Sequence, residues 1–244
     1  MITLTAKIIS VVSAVFMLLN PFASFLRRTE NAPTQKAHEV TYELFDYDEV
    51  MAVHKKSQKN YLAAIHETKK QKYNGKIEVS RPEPAYLAWN TTVDETETDF
   101  DAYTVYFSRN ADMSDAEIYE TTDTEIKIYN VLVGETYYWC VEAEYDGDTY
   151  RSEVSSFATE PEAPRNLFID GVTNARDMGG WDCDGGKVKQ GIVYRTARLH
   201  DDSVVNITED GIKTMLDQLK VKTEIDLRSD VTPREIGVLG ESVK

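Results

Sequence analysis

The sequence predicts a multidomain chain, an all-β antiparallel sandwich over residues 76–160 followed by an incomplete α/β domain over residues 162–244. Three observations lead there. Short runs rich in Val, Ile, Tyr, Phe and Trp recur at roughly ten-residue spacing between Lys76 and Thr159, separated by Asn, Asp, Gly, Ser and Pro. A short proline-bearing linker, Pro161 to Arg165, marks a change of texture. Beyond it the order of candidate elements is strand, strand, helix, strand, which opens an α/β layer structure.

At the N-terminus, Ile8 to Leu19 is nearly all apolar, preceded by Lys7 and followed by Asn20-Pro21. A charged start, an apolar centre and small residues at Ala23 and Ser24 fit a secretory signal, and extension through Leu26 gives about the length of a membrane span. Residues 1–28 are therefore expected to act as a signal peptide or membrane anchor, placing the rest outside the cell or on its surface. Residues 29–75 are polar and read as a linker. Within them Tyr47 to Tyr73 is a candidate helix, with Val50, Met51, Val53, Leu62 and Ile65 as a patchy apolar face and Asn74-Gly75 as its stop.

The runs KIEVS, AYLAW, AYTVYFS, AEIYET, EIKIYNV, YYWCVEAEY and VSSFAT supply the strands of the sandwich. Side chains alternate across a strand. Tyr137, Trp139 and Val141 are thus expected to face the core and Cys140 the opposite side. After the linker, Leu167 to Val172 and Lys187 to Ala197 read as strands around the Gly-rich turn NARDMGGW (Asn174 to Trp181). Thr208 caps a helix that buries Ile212, Met215, Leu216 and Leu219, and Val221 to Leu227 reads as a third strand. Only 17 residues follow Leu227. That is too few to cover both faces of such a sheet, hence the expectation that the domain is incomplete.

Composition excludes several functions. With 27 basic and 42 acidic residues the formal charge is -15, which argues against nucleic-acid binding, since phosphate contacts need clustered Lys and Arg. The acidic run Asp94 to Asp101 lacks the spacing of a calcium loop and reads as a solvated loop. The two cysteines, Cys140 and Cys183, form no disulfide framework and are expected to be free or surface thiols. His38, His54, His66 and His200 are scattered without ligand spacing, so neither a metal nor a cofactor is expected.

Two resemblances follow from these residues. Pro82 and Pro84 before the Trp89 strand, the stretch Val131 to Tyr137 with its Gly134 and Tyr137, and the exit Ser155 to Thr159 together resemble the fibronectin type III family. Val133 stands where that family commonly has proline. The resemblance implies a core tryptophan at Trp89 and a corner in which the Tyr137 hydroxyl bonds back to the backbone. It also implies a spacer or a binding surface for a protein or carbohydrate ligand.

The blocks NARDMGGW, GGKVKQGIVYRTARL (Gly185 to Leu199) and VKTEIDLRSD (Val221 to Asp230) resemble the opening of the bacterial protein-tyrosine/serine phosphatases of the dual-specificity-like and lipoprotein-phosphatase type. Asn174, Arg176, Asp177, Gly179, Gly180, Arg195, Asp226, Leu227, Arg228 and Ser229 fit, whereas Ala175 and Met178 depart from the pattern. The resemblance implies phosphomonoester hydrolysis by a cysteine thiolate in a loop of backbone N–H groups, with an arginine six residues after the cysteine to clamp the phosphoryl oxygens. Here Asp146 lies six residues after Cys140 and Lys189 six after Cys183. No catalytic residue is therefore expected among the 244. What the resemblance implies instead is a pocket frame. Arg176 and Asp177 brace the turn, and Asp226 with Arg228 ends a strand that points at the site.

The resulting expectation is an exported phosphatase-like protein, inactive as it stands. Its substrate would be a phosphorylated protein or small phosphomonoester in the full-length enzyme. The alternative is a surface adhesion module of fibronectin type III character carrying a degenerate phosphatase remnant.

Overall fold

Alternation of apolar and polar side chains builds the first unit of the chain. In the computed structural model, which describes residues 38–45, 50–64, 71, 81–201, 205–227 and 239, strands β1 (Val40–Leu44), β2 (Ala85–Val93), β3 (Thr96–Glu97), β4 (Tyr103–Ser108), β5 (Glu117–Thr121), β6 (Glu125–Ile128), β7 (Thr136–Tyr145), β8 (Asp148–Arg151) and β9 (Ser155–Ala158) form two antiparallel sheets. In one sheet β2 pairs with β1, β3 and β6; in the other the order is β5-β4-β7-β8, with β9 also on β7. The apolar segment 1–28, the KIEVS strand at 76–80 and Arg228 lie outside the described residues. Among the described residues no helix is long and apolar enough to cross a membrane.

Every second residue of β7 enters the space between the sheets: Tyr137, Trp139, Val141 and Ala143 are all buried there. They meet Leu87 and Trp89 from β2 and Tyr103, Val105 and Phe107 from β4. Trp89 packs edge-on against Tyr103, with ring centroids 5.3 Å apart, and lies 6.3 Å from Trp139. The turn before β7 is closed by Tyr137, whose hydroxyl accepts a hydrogen bond from Leu132 N–H (2.7 Å). Gly134 takes φ +69° in that turn and donates its N–H to Glu160 O (3.0 Å), a backbone conformation that favours glycine.

The polar linker expected over 29–75 is corrected in two places. Val40–Leu44 pairs in register with Trp89 to Val93, its Val40, Tyr42 and Leu44 half-buried against the core. Met51 and Val53, expected on a helix face, instead alternate in extended chain and enter the core beside β9, where Met51 bridges Thr159 in parallel. Helix α1 spans only Lys56–Leu62. Here the free edge of β9 offers backbone partners, and tertiary pairing overrides a weak helical pattern.

Cys140 does point away from the core, but it is a buried free thiol rather than a surface one. Arg151 covers it, donating from Nε (3.3 Å) and Nη2 (3.2 Å) to Sγ while lying 4.1 Å from the Tyr106 ring centre. Burial pushes the thiol pKa up against the opposing pull of Arg151, so Cys140 is protonated and unreactive near neutrality.

Beyond Pro161 the strands are shorter than expected. Leu167 to Val172 is irregular, tied by Leu167 N–H to Ala175 O (2.9 Å). The stretch Lys187 to Ala197 contributes only the ends of two-residue ladders: β10 (Arg176–Asp177) pairs with β13 (Tyr194–Arg195), and β11 (Asp182–Cys183) with β12 (Gly186–Lys187). Val221 to Leu227 forms no strand; Ile225 is 74% exposed and Leu227 90%. A β-rich composition becomes a strand only when a neighbour takes its hydrogen bonds, and no described segment pairs with this one. The helical reading fares better. Thr208 Oγ1 accepts from Gly211 N–H (3.1 Å), capping α2 (Glu209–Lys213), which continues as a π-helical turn over Thr214–Gln218. Met215 and Leu219 are buried and Ile212 and Leu216 partly buried in a second cluster with Leu167, Ile169, Val172, Ala175, Leu199 and Leu239.

Candidate functional site

The turn NARDMGGW is organised by one carboxylate. Asp177 is fully buried. Its Oδ1 accepts from Gly179 N–H (2.8 Å), and its Oδ2 accepts from Gly191 N–H (2.7 Å) and Arg165 Nη2 (2.6 Å). The backbone repeats the link, with Asp177 N–H donating to Arg165 O (2.8 Å). An ionised carboxylate offers only acceptors, and here they are taken by two amides and a guanidinium. Gly179 is required by the closeness of the neighbouring chain, since a Cβ there would lie 2.4 Å from Lys189 O and 2.5 Å from Gln190 Cα. Asp177 therefore shapes the turn and has no free face to offer a substrate.

Arg176, the next residue back, is part-exposed and donates from Nη2 to Asn174 Oδ1 (2.5 Å). Its partner across the ladder is Arg195, so pairing brings together arginines from two separate motif blocks. Like charges directly opposite in a ladder are unfavourable. Both side chains are accordingly at least partly in water, while Asp177 and Tyr194 occupy the next rung. Asp226 lies on the exposed extended stretch after the helix, outside the ladder that holds Arg176 and Asp177. Of the four expected frame residues, then, the structure joins Arg176 and Asp177 in one turn, places Asp226 on the exposed segment after the helix, and does not describe Arg228.

Cys183 sits exposed at the tip of the β11–β12 hairpin, 3.5 Å from Gly186 O. The chain leaves it as strand, so no helix begins at the thiol to point its N-terminus there. Among the described residues no three His, Cys, Asp or Glu side chains converge so as to hold a metal ion.

Sequence reading missed the residues that hold the turn in place. Arg165 is buried in the linker and also donates from Nη1 to Asn130 O (2.7 Å). Gln190 forms a two-way bond with the sandwich, accepting from Val133 N–H (3.0 Å) and donating to Val133 O (2.9 Å). Asn130 grips Phe168 at both backbone atoms, accepting from its N–H (2.7 Å) and donating to its O (3.0 Å). The linker expected to separate two domains is thus buried at its end, Pro164 and Arg165, and bonded on both sides. The only signal in the sequence was a charged residue set between Pro164 and an apolar run.

The linker is also gripped from the N-terminal side. Glu160 Oε1 accepts from Val53 N–H (2.9 Å) and His54 N–H (2.6 Å) and meets His54 Nδ1 (2.7 Å), while Lys59 Nζ bonds Oε2. His54 Nε2 donates to Pro164 O (2.7 Å). Burial alone would raise the Glu160 pKa, but the Lys59 ammonium, the His54 amide and its ring outweigh it and hold the carboxyl below its ordinary 4.5. A depressed carboxylate contributes stability that is present above its unfolded pKa and lost as pH falls through its folded one. The stability gap between the wild type and Glu160→Gln is therefore expected to be constant near neutrality and to narrow below about pH 4.5. Urea unfolding at a series of acid pH values measures it; a gap unchanged to pH 2 would show that the charge contributes nothing.

Against known families, residues 167–238 match the profile described as the tyrosine phosphatase family. The match covers less than a third of the chain and contains Arg176, Asp177, Arg195, Asp226 and Arg228. No curated protein matches the chain. The 167–238 segment is thus phosphatase-like, and phosphorylated compounds are the substrate class that this likeness suggests.

Proposed function

We propose that this protein is an exported protein-tyrosine/serine phosphatase-like protein whose 244 residues lack the Cys-to-Arg catalytic loop and are inactive by themselves, phosphorylated proteins or small phosphomonoesters being the substrates of a full-length enzyme. In this reading residues 167–238 build the frame beside a phosphate pocket. The tyrosine phosphatase match over those residues carries the reading. The tightly bonded Asp177 turn supports it, because a phosphate pocket needs rigid surroundings to hold its amides in place. Arg176 is the frame residue with donors toward water, and Asp226, exposed on the segment after the helix, is the second described candidate.

The sandwich is proposed to be of fibronectin type III type, supported by the Leu132–Tyr137 corner bond and the buried Trp89. Export rests on the apolar segment Ile8 to Leu19. An adhesion role, with the sandwich binding a protein or carbohydrate, is the second reading. It is favoured by Ile118, 61% exposed on strand β5 at the rim of its sheet.

The 244 residues themselves are expected to leave a chromogenic aryl phosphate unhydrolysed, because neither cysteine has an arginine six residues on, Cys140 is buried and protonated, and Cys183 is followed by a strand rather than a helix. Turnover that disappears in Cys183→Ser would overturn that assignment. The phosphatase reading as a whole is tested on the gene: an in-frame Cys-to-Arg loop past codon 244 supports it, and a stop codon there moves the weight to adhesion.

A further inference from the structure

We propose that the segment Met51–Leu62 is a strap whose docking holds the linker Glu160–Arg165 and, through Arg165, fixes the shape of the Asp177 turn. The strap is attached along its length. Met51 N–H donates to Ala158 O (2.8 Å) and Met51 O accepts from Glu160 N–H (3.1 Å). Val53 and His54 converge on Glu160, and Gln58 Nε2 reaches Arg81 O (2.8 Å). Its last hold on the linker is the bond from His54 Nε2 to Pro164 O.

One peptide unit beyond Pro164 stands Arg165, and there the contacts pass to the turn. Arg165 fastens Asp177 by side chain and backbone, and Asp177 fastens Gly179 and Gly191. The linker also touches the turn directly, since a Cβ on Gly180 would meet Ala163 Cβ and Val133 Cγ2 at 3.3 Å. From Lys59 to Gly191 the groups in this chain are either buried or bonded to a buried neighbour. Releasing one end leaves buried polar groups short of partners at the next, which is the condition for a cooperative response rather than local fraying. The strap, seated in the sandwich core at Met51 and Val53, thus ties the N-terminal part of the chain to the phosphatase-like part through the linker. This coupling does not depend on what the turn binds.

Hydrogen exchange of the full 244-residue chain, read by mass spectrometry, tests it. His54→Ala and Lys59→Met are each expected to speed exchange at Gly179 and Gly191 by about tenfold or more, the loss of one charge-assisted bond being about 1.5–3 kcal/mol. Peptides from β4 and β7 are expected to stay at wild-type rates. Lys59 is half exposed, so its variant keeps the fold even where His54→Ala does not. Coupling is reciprocal. Asp177→Asn is therefore expected to speed exchange at the Val53 and His54 amides, far from the substitution. Faster exchange confined to residues 51–64 in the strap variants, or unchanged Val53 and His54 amides in Asp177→Asn, would overturn the proposal.

Discussion

Asp177→Ala is expected to destabilise the C-terminal half by about 3–5 kcal/mol, the loss seen when one partner of a buried ion pair is removed. Asp177 has no exposed surface and Arg165 is also buried, so the guanidinium left behind keeps its charge without its carboxylate. Arg165 Nε already has no hydrogen-bond partner among the described residues, which leaves the group little to fall back on. The Gly179 and Gly191 amides lose their acceptor at the same time. Asp177→Asn keeps the shape and one carbonyl acceptor, and is expected to lose less. Urea unfolding measures the free energy, and cleavage between residues 166 and 201 by a broad-specificity protease reports where it is lost. A change below about 1 kcal/mol for Asp177→Ala would mean that Arg165 and the two amides turn to water, and that the turn is not held as described.

That carboxylate also shows how far the site could be read. The motif NARDMGGW marked the turn, but placed Asp177 as a brace beside a pocket. Its actual partner, Arg165, lies 12 residues back in a stretch with no motif. Charge pairing across a turn has no periodicity, and so leaves no trace in the sequence. Strand β7 was legible because burial on one face imposes a period of two over ten residues. Strand β1, five residues long and bearing Glu43 on its outer face, sat in a charged neighbourhood that concealed the same alternation. The stretch Val221 to Leu227 failed for the opposite reason. Its Val, Ile and Leu satisfy strand composition, yet composition says nothing about which segment supplies the ladder. The helix after Thr208 was read with its cap and its buried face because those signals are local.

The sandwich offers the second large effect. Trp89→Ala is expected to cost about 3–5 kcal/mol of unfolding free energy, as truncation of a buried aromatic does. Trp89 has no exposed surface and lies between the sheets, with Tyr103 against its edge and Trp139 beyond. Its strand is also the one that pairs with β1, β3 and β6, so the cavity opens where that sheet is joined. The indole N–H complicates a simple ranking by size. Trp89 Nε1 is buried and has no hydrogen-bond partner among the described residues, a cost the folded state already carries. Trp89→Phe removes that donor while keeping most of the ring area, and is expected to cost well under half as much as alanine. Urea unfolding of the two variants separates the effects. Equal losses for phenylalanine and alanine would show that the indole N–H is bonded after all, with the hydrogen bond rather than the packing setting the value of the residue.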